Sequence, residues 1–232
     1  MRANVGRHFV VADVHGHLTA LKALLAELSL TDQDQITFLG DLVDHGPDSR
    51  GVLDCVMSLG AQARTIMGNH EALLLASMND AEVERHWLGY GGDKTLSSFG
   101  VECAARIPQS YKDWLSSLPL WIEADDYVFV HAGVDPKLDM IDQSEETLLW
   151  QHQSNPQPLD NGKTVVSGHT PRLRPLFLPH CFSLDTGIAS GGLLTAIELP
   201  VTAGADVEQV VQVDAFGERV KIAYSKDHPQ AA

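Results

Sequence analysis

Basic residues are scarce. The 232-residue chain has 16 Lys and Arg against 31 Asp and Glu, a formal net charge of −15. Proteins that hold nucleic acid through phosphate contacts are expected to be basic, so this chain repels a polyanion at long range unless bound cations reverse the sign locally. Long apolar runs are also missing. Nothing approaches the ~18 consecutive apolar residues of a membrane span. Near the N-terminus the apolar run stops after Phe9–Ala12, short of the about 7–15 residues of a secretory signal core. A cytoplasmic protein with neither nucleic acid nor membrane as partner is the expectation. Cysteines are few and far apart (Cys55, Cys103, Cys181), with no CxxC pair. That excludes a disulfide framework and a thiolate-bound zinc, and leaves reduced thiols.

What is present is an ordinary globular composition, 44% apolar, in a length that suits a single domain over residues 1–232. "RHFVVADVHG" reads as a short buried strand that ends in a polar turn. "HLTALKALLAEL" follows, with Leu18, Leu21, Leu25 and Leu28 on one helical face. "QITFLGD" and "QARTIMGNHE" repeat the strand-then-turn pattern, and "SRGVLDCVMSLG" and "EALLLASM" the helices. β-α-β-α-β-α over the first 80 residues predicts a parallel sheet with helices on its faces. Residues 80–120 read as a helical cap inserted over that sheet. Beyond them, "YVFVHAG", "TVVSGHT", "CFSLDTG" and "LLTAIELP" predict a second sheet packed on the first. Residues 224–232 read as a tail.

Chemistry gathers at the strand ends. Asp13 and His15 follow the first strand, Asp41 the second, Asn69 and His70 the third; His131 and His169 each end a later strand. Open α/β sheets bind ligands beyond the carboxyl ends of their strands. One strand-end histidine is more often structural, and Asp or Asn there is more often a turn former. Five successive strand ends with a metal-competent side chain point to a metal site. The donors are carboxylate, imidazole and amide, a set that suits Mn²⁺, Fe or Zn²⁺. Six donors are too many for one ion with open positions. They suit two ions about 3.5–4 Å apart sharing a carboxylate. In "GDLVDHGPDS", Asp41 and Asp44 lie three apart; a shared pair of cations neutralises Asp41 and leaves Asp44 for another task. Two-metal sites favour in-line attack on phosphorus by a hydroxide held between the ions. His70 then serves as the general acid for the leaving group, oriented by Asp44.

The ordered set D-x-H-G, G-D-x-x-D-x-G, G-N-H-E, H-A-G and G-H-T-P resembles the PPP-type metallophosphoesterases of calcineurin-like fold. These include serine/threonine protein phosphatases, the lambda phage phosphatase and bacterial symmetrical diadenosine tetraphosphatases. The likeness runs from about residue 9 to residue 199. It implies an α/β fold, a four-layer α/β/β/α sandwich, with Asp13, His15 and Asp41 on one metal and Asp41, Asn69, His131 and His169 on the other. It implies His70 as general acid assisted by Asp44. "GGDKTLSSFG", "LLW" and "LDTGIASGGLLTAIEL" look most like the bacterial protein-phosphatase members. The expected activity is therefore a phosphomonoesterase acting on a small phosphorylated molecule or a phosphoprotein, with dinucleoside polyphosphate hydrolysis as the alternative and a non-catalytic phospho-binding module as a third reading.

Two positions depart from the family pattern. Arginine normally follows the second aspartate of G-D-x-x-D, where this chain has His45. A second phosphate-binding arginine usually follows the L-W pair, where this chain has His152. Histidine offers one donor per nitrogen in place of a permanently charged bidentate fork. Both histidines are candidate substrate-binding residues. The bland reading of His45 is rim packing, with Arg50 as the phosphate cation. Trp87, Trp114 and Trp121 read as packing residues, and Asp185 as either a support for a ligand histidine or a turn former.

Overall fold

The computed structural model describes residues 6–202, 205–207 and 209–221, so the expected tail lies outside the described residues. Strand β1 (His8–Val11) is followed by helix α1 (Leu18–Leu28), β2 (Gln35–Phe38), α2 (Ser49–Ser58), β3 (Ala63–Thr65) and α3 (Asn69–Ser77). Three helices come next: α4 (Ala81–Trp87), α5 (Asp93–Phe99) and α6 (Gln109–Ser116). The remainder is β4 (Trp121–Ala124), β5 (Tyr127–Val130), α7 (Glu145–Trp150), β6 (Thr164–Ser167), β7 (Leu176–Leu178), β8 (Cys181–Ser183), β9 (Leu194–Glu198) and β10 (Val210–Val213). No helix among the described residues is long and apolar enough to cross a membrane.

Two five-stranded mixed sheets result, ordered β10-β9-β1-β2-β3 and β4-β5-β6-β8-β7. β1, β2 and β3 pair in parallel, as their helical crossovers require. One expectation is overturned here. "LLTAIELP" does not join the second sheet: β9 lies antiparallel to β1 in the first, with Val10 opposite Ile197. The reason is visible in its burial. Leu194 and Ala196 pack on the helical side and Ile197 on the inter-sheet side. A strand buried on both faces carries no alternation that assigns it to a sheet.

Alternation along β1 shows how the layers are held. Phe9 and Val11 face α1 and α2, whereas Val10 faces the second sheet with Leu39, Ile66, Phe129, Val166 and Phe182. Burying each such side chain contributes about 1.5–3 kcal/mol relative to leaving it in water. On α1 the buried stripe is Ala20, Leu21, Leu24 and Leu28, with Leu25 at its margin. The outer face of the second sheet, Val128, Val130 and Val165, is covered by Leu148 of α7 with Val134, Met140 and Leu159. Helices α4 to α6 contribute Trp87, Leu96, Phe99, Tyr111 and Leu115 to the same core as α1 and α2. They pack on the helical side of the first sheet.

Candidate metal centre

The loops after β1, β2, β3, β5 and β6 meet at one rim. Asp13, His15, Asp41, Asn69 and His131 are all buried there, and His169 is partly exposed. Asp41 is central. Its Oδ2 lies 3.5 Å from His15 Nε2, 3.4 Å from His131 Nε2 and 4.0 Å from His70 Nε2. Asp13 reaches the second sheet: its Oδ2 accepts from the His169 backbone N–H at 3.0 Å. Gly168 permits that approach, since a Cβ there would sit 2.0 Å from Asp13 Oδ1. Five of the seven non-glycine residues with positive φ among the described residues belong to this rim: His15, Asp41, Asp44, His45 and His169. Left-handed backbone costs non-glycine residues about 1–3 kcal/mol each and persists where the surroundings over-determine it, typically at functional sites.

Backbone carbonyls set the histidine tautomers. His15 Nδ1–H donates to Val43 O (3.0 Å), and His131 Nδ1–H to Leu39 O (2.8 Å). His169 Nε2–H donates to Trp150 O (3.3 Å). The inward nitrogens of these rings therefore carry lone pairs. Burial keeps the rings neutral, pushing His15 down to about 3 and His169 to about 4, and lowering His131 as well. Burial also pushes the Asp13 carboxyl well up, with Asp185 and Asp41 adding to it. For Asp41 burial acts upward too, while the charged His70 ring and the His70 backbone N–H pull the carboxyl down.

Asn69 provides the test of fit. Its Oδ1 lies 2.7 Å from His131 Nε2 and 3.1 Å from His169 Nδ1, and those two nitrogens are 3.2 Å apart. These atoms and the Asp41 carboxylate form a cluster of acceptors without a proton among them, an arrangement that a cation stabilises. With no cation bound, the amide turned end for end donates its NH₂ to the same three residues. Asp41, His131 and His169 bring ligand atoms within 4.8 Å of one another, as do Asp13, His15 and Asp41. Two trios sharing Asp41, without sulfur, fit hard or borderline divalent ions.

His70 is turned away from these trios on one side. Its Nδ1–H donates to Asp44 Oδ2 at 2.7 Å. Burial works against its proton, but Asp41 and the Asp44 hydrogen bond outweigh that and raise it to about 9. Its Nε2 faces the Asp41 side. The two substrate-binding candidates border the cluster at opposite ends. His45, exposed, lies 4.9 Å from the His15 ring and 5.0 Å from the His70 ring between centroids. His152, also exposed, lies 4.7 Å from the His169 ring. Arg50 instead pairs with Asp54 on its own helix, 3.9 Å away. Asp185 makes the turn, accepting from Gly187 N at 2.8 Å, while standing close enough to Asp13 to raise it.

Three residues escaped the sequence reading. Glu71, fully buried, accepts from the backbone N–H groups of Asp41, Leu42, Val43 and Gly68. It holds the loop that carries Asp41. It also caps α3, its Oε2 accepting from Gly68 N at 2.9 Å, but a glycine N-cap has no side chain to return the bond, so the capping-box signature is absent from the sequence. Trp87 and Thr95 both donate to Asp44, and no local pattern announces a contact across more than forty residues.

The comparisons with known proteins agree with this geometry. A symmetrical bis(5'-nucleosyl)-tetraphosphatase from Pectobacterium carotovorum is 37% identical over 135 residues, 57% of this chain and 45% of the relative. The matched part thus spans about half the length of that curated relative. A solved structure provisionally described as a diadenosine tetraphosphatase superposes with a TM-score of 0.68 at 28% identity, covering 92% of this chain and 95% of its own. A protein serine/threonine phosphatase from Saccharomyces cerevisiae shares the fold at a TM-score of 0.62 and 16% identity, covering 97% of this chain and 82% of its own. Residues 7–187, from the first strand through the last rim loop, match the calcineurin-like phosphoesterase family, and the chain belongs to it.

Proposed function

We propose that this protein is a metal-dependent phosphoester hydrolase acting on dinucleoside polyphosphates of the bis(5'-nucleosyl)-tetraphosphate type. The observation that carries the metal chemistry is the cluster of acceptors around Asn69 Oδ1, His131 Nε2, His169 Nδ1 and Asp41, contiguous with Asp13 and His15. The substrate class rests on the tetraphosphatase names of the 37%-identical relative and the 28%-identical structure. This reverses the order given by the motifs alone, which favoured a phosphomonoesterase. The protein-phosphatase-like strings at 91–100, 148–150 and 184–199 support that activity as the second reading.

In this assignment Asp13, His15 and Asp41 hold one ion, and Asp41, Asn69, His131 and His169 the other. Two divalent ions held there, Mn²⁺ being expected and Fe or Zn²⁺ compatible with the donors, would supply an activated water and neutralise phosphoryl charge. Asp44 fixes the His70 ring through Nδ1, which leaves Nε2 as the atom that gives its proton to the leaving oxygen. His45 and His152 flank the site where the two ends of a polyphosphate chain would extend. Purified protein with Mn²⁺ is to be compared on diadenosine tetraphosphate, a phosphopeptide and an aryl phosphate. A kcat/KM at least about tenfold higher for the dinucleotide is expected. Preference for the phosphopeptide or aryl phosphate would replace the substrate class, and no turnover with metals bound would favour the phospho-binding module.

His45→Arg tests the rim. An arginine reaching the same phosphate with two donors lowers KM for a simple aryl phosphate by about 3–10-fold. An unchanged KM would mean that position 45 does not touch substrate.

A further inference from the structure

Asp44 is fully enclosed at the rim, and its backbone sits at φ 72°. Its Oδ2 accepts from His70 Nδ1 (2.7 Å) and from Trp87 Nε1 (2.8 Å); its Oδ1 accepts from Thr95 Oγ1 (2.6 Å). The Asp44 backbone N–H is shared between Thr95 Oγ1 and Ser49 Oγ, each at 3.0 Å. Since the Thr95 proton goes to the carboxylate, Ser49 Oγ–H is left to donate to Thr95 Oγ1, 2.9 Å away. Every donor to the carboxylate other than His70 comes from the helical segment, one from the end of α4 and one from α5.

The chain between those donors is built for them. Leu88–Gly92 leaves regular helix, with Tyr90 and Gly91 out of helical φ/ψ. Gly91 O accepts from the His45 backbone N–H at 3.3 Å, which ties the segment to the Asp44-His45 turn. Gly92 lies flat against the Trp87 indole: a Cβ there would be 2.3 Å from Trp87 Cε2. A fully buried indole N–H needs an acceptor, and here it is the carboxylate that orients the general acid.

We propose that Trp87 and Thr95 are positioning residues of the hydrolytic reaction, acting through Asp44 to fix the direction of the His70 Nδ1–H bond. With both oxygens held, the carboxylate plane cannot turn, and one lone pair of Oδ2 stays aimed at His70. Loss of either donor frees that rotation and lets the His70 ring swing. The proposal rests on His70 being the general acid, and it predicts a cost that depends on how much the leaving group needs a proton.

The test uses the Mn²⁺-loaded protein and aryl phosphates of rising leaving-group pKa. Thr95→Val and Trp87→Phe are each expected to lower kcat about tenfold for phenyl phosphate and less than about threefold for dinitrophenyl phosphate, with Thr95→Ser within about threefold of wild type on both. In a His70→Asn background neither change should cost anything further, because the group they position is gone. Equal losses for all leaving groups, or the same loss in the His70→Asn background, would overturn the proposal. A second readout needs no turnover. In metal-free protein labelled with ¹⁵N-histidine, the His70 Nδ1–H proton should resonate far downfield, move upfield in Thr95→Val and Trp87→Phe, and stay in Thr95→Ser. An unmoved resonance would overturn the inference. Should wild type turn over no phosphate ester, the hydrolase reading fails and this spectrum still decides the positioning. If Trp87→Phe does not fold, Thr95→Val decides alone.

Discussion

His70→Asn is expected to lower kcat for phenyl phosphate by about 10²–10⁴-fold, the usual contribution of a positioned general acid, with both metals retained. The argument starts from the ring's two nitrogens. Nδ1 is committed to Asp44, so only Nε2 can deliver a proton, and it faces the cluster around Asp41. Asparagine preserves the backbone N–H that donates to Asp41 Oδ1 at 3.0 Å, so the shared carboxylate keeps that anchor. Asp44 also keeps its Trp87 and Thr95 partners. The effect should shrink for dinucleoside tetraphosphates, whose leaving group is a nucleoside diphosphate that departs without much protonation. Metal content measured beside kcat makes the result decisive. The ring nitrogens of His15, His45 and His70 also lie within 4.8 Å of one another. If the variant loses metal, His70 is a ligand in that trio and the acid must be sought elsewhere.

The parts of the fold legible in the sequence are those in which local pattern and final environment coincide. β1 to α3 alternate strand and helix with one buried face each, and their parallel pairing follows from the crossovers. The rim residues are legible for the same reason: each follows the end of a strand, and a sheet brings its strand ends together. What could not be read depends on partners distant in the chain. β9 is buried on both faces, so its residues carry no mark of which sheet takes it. β4 is an edge strand of mixed exposure and gives little alternation to detect. Trp87 looked like any packing tryptophan, because its N–H meets an acceptor 43 residues earlier in the chain. Glu71 in "GNHE" carries no capping-box signature, since Gly68 has no side chain, and its role is set by N–H groups some thirty residues earlier.

Glu71→Ala should give the largest loss of stability of any single change at the rim, about 3–5 kcal/mol, and weaken metal binding with it. The carboxylate is fully buried and spans two loops. Oε2 accepts from Asp41 N (2.7 Å) and Gly68 N (2.9 Å); Oε1 accepts from Leu42 N (2.7 Å) and Val43 N (3.2 Å). Alanine leaves four buried N–H groups without that acceptor, in a space water would have to enter to replace it. Glutamine is close in volume but turns an NH₂ toward one pair of donors whichever way it lies, so it should recover only part of the loss. Burial and the neighbouring Asp41 charge push the Glu71 carboxyl up to about 7, while the N–H donors pull the other way. Alanine also removes this negative charge from beside Asp41, so electrostatics weakens cation binding there as well. Loop disorder acts in the same direction: Asp41 sits at φ 48°, and Val43 O fixes the His15 tautomer, so both ligands depend on the same held loop. The geometric effect should be the larger of the two, because a donor displaced by ~1 Å loses most of its coordination whatever the local charge. Thermal unfolding of the metal-free variants measures the stability change, at about 2–4 °C per kcal/mol for a chain of this size. Mn²⁺ titration measures the second, and unchanged binding by Glu71→Ala would show that the loop keeps its ligand geometry without this carboxylate.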